Sequence, residues 1–271
     1  MAVRKSVKSK KQKSFSSSNT FYGCFFIAFL LLFLYSQRNI LAYYLGFKTD
    51  KIILETRTAS LDKVLDAHIE KSFGIDISEY QDKINWDHLK EINGGFPIEF
   101  VFVRATVGND RRDYKFKKYW EKAKENKFIC GAYHYYRPNE NSIEQANNFI
   151  KNVRLRKGDF PPVLDIEKLP RAQSIERLKV GLQRWLDVVE EHYGVKPIIY
   201  SSESYYNDFL KEDFLDYPFW IANYTAFYKE INSDWSMWQV TENGKVKGIK
   251  GCVDVNVYNG NSVNLKELLI H

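Results

Sequence analysis

At 271 residues, with 18 Tyr, 19 Phe and 6 Trp, the chain is long enough for a domain of roughly 200 residues and too aromatic for a disordered or coiled-coil protein. Its formal net charge of +6 is carried by Arg4, Lys5, Lys8, Lys10, Lys11 and Lys13, a run with no acid among them. Elsewhere the bases only match the 34 acids, so net charge gives no argument for a nucleic-acid partner.

In chain order, the basic tail (1–20) leads into FYGCFFIAFLLLFLY at 21–35, and the apolar return ILAYYLGF extends the stretch toward the roughly 20 residues that span a bilayer. Cations retained in the cytoplasm send the C-terminal part of the chain across the membrane, so residues 21–43 are expected to form one transmembrane anchor in contact with lipid. A cleaved signal peptide is the competing reading, against which SQRNILAYYL offers no small-x-small site. Residues 44–71 are charged with some helical periodicity and are expected to be a stalk, with the folded body at 72–271 outside the cytoplasmic membrane.

Within the body, FGIDIS (73–78), FVFVRAT (100–106), ICGAYHYY (129–136), PPVLDIEK (161–168) and KPIIYSS (196–202) are β-branched and aromatic runs too short for helices. Each precedes a helix-length segment: about 85–94, 114–127, 142–154, 174–192 and, shorter, 203–211. That alternation predicts βα units and a parallel sheet buried on both faces. After residue 217 the rhythm breaks into YPFWIANY (217–224), WSMWQV (235–240) and VDVNVY (253–258), with no room for full helices between them. The expected fold is an α/β, irregular (β/α) barrel of about eight strands, five with helical crossovers; an open doubly wound sheet is the rival. Cys130 and Cys252 sit in apolar strand candidates and are read as core residues rather than a disulfide.

The chemistry concentrates at strand ends. Asp165 and Glu167 lie two apart, so they share a face, about 6.6 Å apart along a strand. Asp76 and Asp254 hold equivalent strand-end positions, and closure of the sheet brings the first and last strands together. Four acids around one cleft fit acid/base work on a polar, uncharged substrate better than metal binding, since HExxH, paired CxxC and calcium-loop patterns are absent. No cofactor is expected. Tyr80, Tyr133, Tyr135, Trp220, Tyr224 and Trp238 supply faces for sugar rings, or ordinary core. Arg104 is expected either to tether the acids as a surface cation or to donate to substrate. His134 faces away from its tyrosine neighbours and is read as structural or as a donor supporting the site.

The ordered set FGIDISEYQDKINWDHL, FVFVRATVG, AYHYYRP, PPVLDIE, GVKPIIYSS, FWIANY, MWQV and GCVDVNVY resembles the landmarks of the glycoside hydrolase family 25 lysozymes, over residues 73–260. The resemblance implies an irregular barrel and retaining cleavage of the β-1,4 bond from N-acetylmuramic acid to N-acetylglucosamine in peptidoglycan; the body is expected to be monomeric. It implies Glu167 as general acid/base, Asp165 as nucleophile or as the group orienting the substrate's N-acetyl carbonyl, and Asp76 and Asp254 as companion acids. A membrane-tethered binding module that no longer cleaves, and a glycanase for another N-acetylated polymer, are the alternatives. Two places depart from the family pattern: EYQD (79–82) replaces an HQG-like loop, and ATVG (105–108) replaces ATEG, both read as altered substrate contacts.

Overall fold

Strand β2 (Phe100–Val107) is buried along its whole length, as a strand must be when side chains pack on both of its faces. The computed structural model describes residues 61–224, 231 and 234–271. Eight strands close a ring: β1 (Phe73–Ile77), β2, β3 (Ile129–Tyr135), β4 (Val163–Asp165), β5 (Ile198–Ser202), β6 (Phe219–Ala222), β7 (Met237–Gly244) and β8 (Val253–Tyr258). Neighbours from β1 to β7 are parallel, whereas β8 lies antiparallel between β7 and β1. A barrel, not an open sheet, is therefore the architecture. The expected tail and anchor, and the stalk up to residue 60, lie outside the described residues; among those described, no helix is long and apolar enough to cross a membrane.

The crossovers differ from expectation. Only the connections after β2, β3 and β4 carry full helices: α1 (Phe116–Glu125), α2 (Ser142–Asn152) and α3 (Ile175–Tyr193). In α3, Leu178, Leu182, Trp185, Leu186 and Val189 form the buried stripe, Ser174 caps the first turn, and Gly194 ends the helix in the left-handed region at φ 70°. The helix expected over 85–94 is replaced by one 3₁₀ turn, Trp86–His88, and a hairpin pairing Glu91–Ile92 with Phe96–Pro97. Asn93 and Gly94 adopt φ of 50° and 77°, and such an Asn-Gly turn favours a hairpin over a helix. After β5 there is one helical turn, Glu203–Tyr205, and a π turn at Tyr206–Leu210.

Two apolar layers result from strand alternation. Val101, Val103, Ile199 and Ile221 pack outward with the helices, while Phe100, Phe102, Phe160 and Met237 pack inside the ring, with Leu265 of helix α4 (Ser262–Leu268) in the same cluster. The inner layer dictates Gly131, where a Cβ would come 2.1 Å from the Phe102 ring. Cys130 and Cys252 are free thiols.

Residues 61–67 are helical, and Leu61, Val64 and Leu65 are buried in the outer core. Asp62 accepts a 2.7 Å hydrogen bond from Asn93, tying this helix to the hairpin. The segment expected to be stalk is thus part of the body from residue 61 onward. A body beginning at residue 58 is expected to melt at higher temperature than one beginning at residue 72, with Leu65→Ala costing the longer body about 2–5 kcal/mol. Thermal denaturation of the three proteins checks this, and equal midpoints would show that the helix adds nothing.

Candidate active site

Strand β4 is three residues long, and its last residue, Asp165, is matched in register with Tyr135 of β3 and Tyr200 of β5. The backbone continues extended: Ile166 donates its N–H to the Tyr200 carbonyl at 3.0 Å and buries its side chain among the helices. Alternation then returns Glu167 to the Asp165 side, but beyond the strand end, where it is exposed. Both carboxyls line a cavity of about 300 Å³, together with Asp76 and Asp254. The sequence-derived Tyr80, Arg104, Tyr133, Tyr135, Trp220 and Tyr224 line it too.

Trp238 does not. It is buried on the outer side of β7, its indole N–H donates to the Asn223 carbonyl at 2.9 Å, and its ring meets His68 and Trp235 edge-on. Met237 belongs to the inner cluster, so alternation turns Trp238 outward and Gln239 inward. The cavity residues missed from sequence are Ser78, Tyr200, Gln239 and Glu242. For Gln239 the signal was the parity of MWQV, in which the aromatic drew attention away from the amide beside it.

Asp76 and Asp254 are register partners across β1 and β8. Gln239 Nε2 and Asn256 Nδ2 each donate to Asp76 Oδ2 at 2.8 Å. The amides are oriented from behind: the Tyr200 and Tyr224 hydroxyls donate to Gln239 Oε1 at 2.7 and 2.5 Å, and the Trp220 indole donates to Asn256 Oδ1 at 2.9 Å. Asp76 and Asp254 also share a side-chain hydrogen bond. Burial, and then the Asp76 charge, push Asp254 up to about 9, so this pair holds a proton at neutral pH, carried by Asp254. Burial raises Asp76 as well, against its amide donors.

Asp165 is held well above the usual carboxylate range by burial and then by the Glu167 and Asp76 charges. Its Oδ1 is buried with no hydrogen-bond partner, in a residue that lines the cavity. Glu167 is also raised, first by the partial loss of water around its carboxyl at the cavity and then by Asp76, with Lys168 acting in the opposite direction. A carboxyl whose hold on its proton is strengthened, yet which water can reach, suits an acid that must both give and recover a proton.

Arg104 is not a surface cation. It is buried, its Nε donates to Asp113 Oδ2 at 3.2 Å, its Nη2 lies 3.4 Å from Glu79 Oε1, and Tyr80 covers it. In the EYQD loop, Glu79 and Asp82 do not line the cavity, and Val107 is buried at the end of β2. These departures therefore place no charged side chain of their own in the cleft. His134 lies on the opposite face, hydrogen-bonded to Thr106 at 2.7 Å and Gln145 at 3.2 Å and stacked on Trp185. Burial lowers it to about 3, leaving a neutral structural imidazole. Among the described residues, no group of three or more His, Cys, Asp or Glu is arranged to hold a metal ion.

Comparison with known proteins bears on this geometry. A family model described as Glycosyl hydrolases family 25 matches residues 75–249, a span that contains Asp76, Asp165 and Glu167 and ends before Asp254. The chain is 36% identical over 206 residues to the uncharacterized protein YegX of Escherichia coli O157:H7, covering 73% of this chain and 75% of that protein. It is 30% identical over 210 residues to Lysozyme M1 of Streptomyces globisporus, covering 72% and 70%. A solved family 25 glycosyl hydrolase from Bacillus anthracis superposes with a TM-score of 0.66 at 28% identity, over 74% of this chain and 94% of that one.

The carboxyl pair gives a stability signature. Between the ordinary carboxylate range and about pH 9, the unfolded chain has released the Asp254 proton while the folded chain keeps it, so this group's contribution to stability falls as pH rises through that window. Asp254→Asn cannot titrate. Its melting temperature, relative to the parent, is expected to climb from pH 5 to pH 8 in denaturation scans; a difference independent of pH would remove the shared proton from the account.

Proposed function

This chain belongs to glycosyl hydrolases family 25, and from that premise we propose how its cleft works: Glu167 is the general acid/base and Asp165 its partner in retaining cleavage of peptidoglycan. Family membership and its lysozyme relatives make the protein a peptidoglycan hydrolase of the muramidase class. The bond proposed is the β-1,4 link between N-acetylmuramic acid and N-acetylglucosamine. The observation that carries the mechanism is the contrast between the two acids of one strand end: Asp165 buried with a free oxygen, Glu167 exposed at the mouth of the same cavity.

In the first step Glu167 gives its proton to the glycosidic oxygen as the bond from the anomeric carbon to that oxygen breaks. The free Asp165 oxygen accepts the N–H of the 2-acetamido group, which turns the acetamido carbonyl oxygen onto the anomeric carbon from the opposite face. Water then attacks that carbon, giving its proton to Glu167, and the carbonyl leaves; two displacements retain configuration. A second reading, direct attack by Asp165 on the anomeric carbon, requires its carboxyl to be ionised, against the raised hold on its proton that burial imposes. Both readings place Glu167 identically. Tyr135, Trp220 and Tyr224 line the same cavity and supply aromatic surface for the bound sugars.

The wall is where such a hydrolase meets its polymer, and the six cations before residue 14 with the apolar stretch at 21–35 support a body anchored on the outer side of the cytoplasmic membrane. Protease added to spheroplasts should digest the body and leave a membrane fragment with its original N-terminus. A full-sized body in the medium with a new N-terminus beyond residue 35 would establish a cleaved signal instead.

Glu167→Gln keeps volume and hydrogen bonding but has no proton to transfer, so kcat on peptidoglycan should fall by about 10²- to 10⁴-fold with glycan affinity retained. Mass spectrometry of the digest reads new muramic-acid reducing ends. Near-parental turnover in this variant would reassign the acid, and an uncut polymer with the parent protein would favour the binding-module alternative.

A further inference from the structure

Tyr80 combines two properties seldom found together: its side chain is 74% exposed, yet the turn that carries it is fastened on every side. That turn, Glu79–Gln81, opens with a capping box in which Ser78 Oγ accepts from Tyr80 N and Gln81 Oε1 accepts from Ser78 N at 2.7 Å. Glu79 points away from the cleft, is 5% exposed, and meets both Arg104 and Arg111; its second carboxyl oxygen accepts the Tyr114 N–H at 3.3 Å. The Glu79 N–H donates to Asp113 Oδ2 at 2.9 Å, the oxygen that also accepts Arg104 Nε. On the far side of the turn, Asp82 adopts φ 50° and accepts Lys115 Nζ on its carboxylate at 2.8 Å and on its backbone carbonyl at 2.5 Å. The two acids that set EYQD apart from the family pattern are therefore both used as fasteners.

These fasteners fix the ring of Tyr80. Its face lies over the Arg104 guanidinium, 4.8 Å from the carbon to the ring centroid, and Arg104 is itself immobilised by Asp113 and Glu79. With one face on the guanidinium, Tyr80 remains largely exposed and lines the catalytic cavity. An aromatic plane held rigidly at a polar cleft, flanked by carboxyls and hydroxyls, matches a pyranose ring, which offers apolar C–H groups on one face and hydroxyls at its edge.

We propose that Tyr80 is a sugar-stacking platform at the rim of the cleft, and that Glu79, which lies behind the Arg104 guanidinium, is a positioning residue that acts on the glycan through it. The proposal deepens the muramidase reading and rests on it for the identity of the sugar. Preorganisation is the physical gain, since a ring already fixed in its bound orientation loses little freedom when glycan arrives.

A double-mutant cycle on soluble, uncross-linked peptidoglycan oligomers tests it. Tyr80→Ala is expected to raise KM about tenfold and leave kcat within about twofold, and Tyr80→Trp to restore KM. Glu79→Gln should raise KM a few-fold in the parent and add nothing once Tyr80 is alanine. Arg111→Ala, on the partly exposed side of the same fastener, should follow the Glu79→Gln pattern more mildly and serves if that variant fails to fold. An unchanged KM in Tyr80→Ala, an undiminished Glu79→Gln effect without Tyr80, or a shifted pH profile of kcat in Glu79→Gln would overturn the proposal. Calorimetric titration of Glu167→Gln with the same oligomers separates the two readings: binding that depends on Tyr80 in a protein whose parent does not cleave would sink the hydrolase assignment and leave this one standing.

Discussion

Two carboxyls packed side by side on adjacent strands inside a barrel cannot both be ionised at modest cost, and the Asp76–Asp254 pair sets the terms for the rest of the cleft. Ring closure makes the pair unavoidable, because β1 joins β8 on one side and β2 on the other. The chain resolves the conflict by asymmetry. Two amide donors converge on Asp76 Oδ2, while the neighbouring Asp254 retains the proton. Those amides face Asp76 because their oxygens are already occupied by Tyr200, Tyr224 and Trp220. Three aromatic residues that would pass for barrel filling thus act electrostatically at one remove, and any change to them reorients a hydrogen-bond donor of Asp76.

The same logic separates Asp165 from Glu167. Their chemistry is alike and their positions differ by two residues, yet the strand ends between them. Asp165, still within the ladder, has its backbone fixed by Tyr136 and its side chain enclosed, so its free oxygen cannot relax toward solvent. Glu167, past the ladder, is open to water while still feeling Asp76. A strand one residue pair longer would bury both acids and remove the route by which the general acid recovers its proton.

The sequence made the barrel legible because each strand is a short apolar run; strand-end position then picked out the four acids, and residue type near those ends six further residues that line the cavity. It failed where local chemistry competes with pattern. Asn93-Gly94 diverted an expected helix into a hairpin, and only a turn-centred reading of that dipeptide would have found it. Trp238 was misplaced by residue type: stacking chemistry argued for the cleft, but the inward packing of Met237 decides the register of β7. The surface-cation reading of Arg104 fails because its partners, Glu79 and Asp113, stand 25 residues before it and nine after, a convergence that exists only once β1 and β2 pair. The acids of EYQD looked like altered substrate contacts for the same reason.

Strand β7 shows how far the support of the site extends from the chemistry. Its inward residue Gln239 orients Asp76, while its outward neighbours Trp238 and Val240 join the outer core with Leu61, Val64 and Leu65 of the 61–67 helix. His68, just after that helix, meets the Trp238 ring, whose indole in turn holds the Asn223 carbonyl beside Tyr224. Leu61 and Val64 also share a small cavity with Tyr224 and Glu242, both of which line the catalytic cavity on their other side. The segment ahead of the first barrel strand is therefore packed behind the cleft wall that carries Gln239 and Tyr224. Because close-packed side chains transmit displacement and do not absorb it, the geometry at Asp76 depends on residues that precede the barrel as well as on those within it.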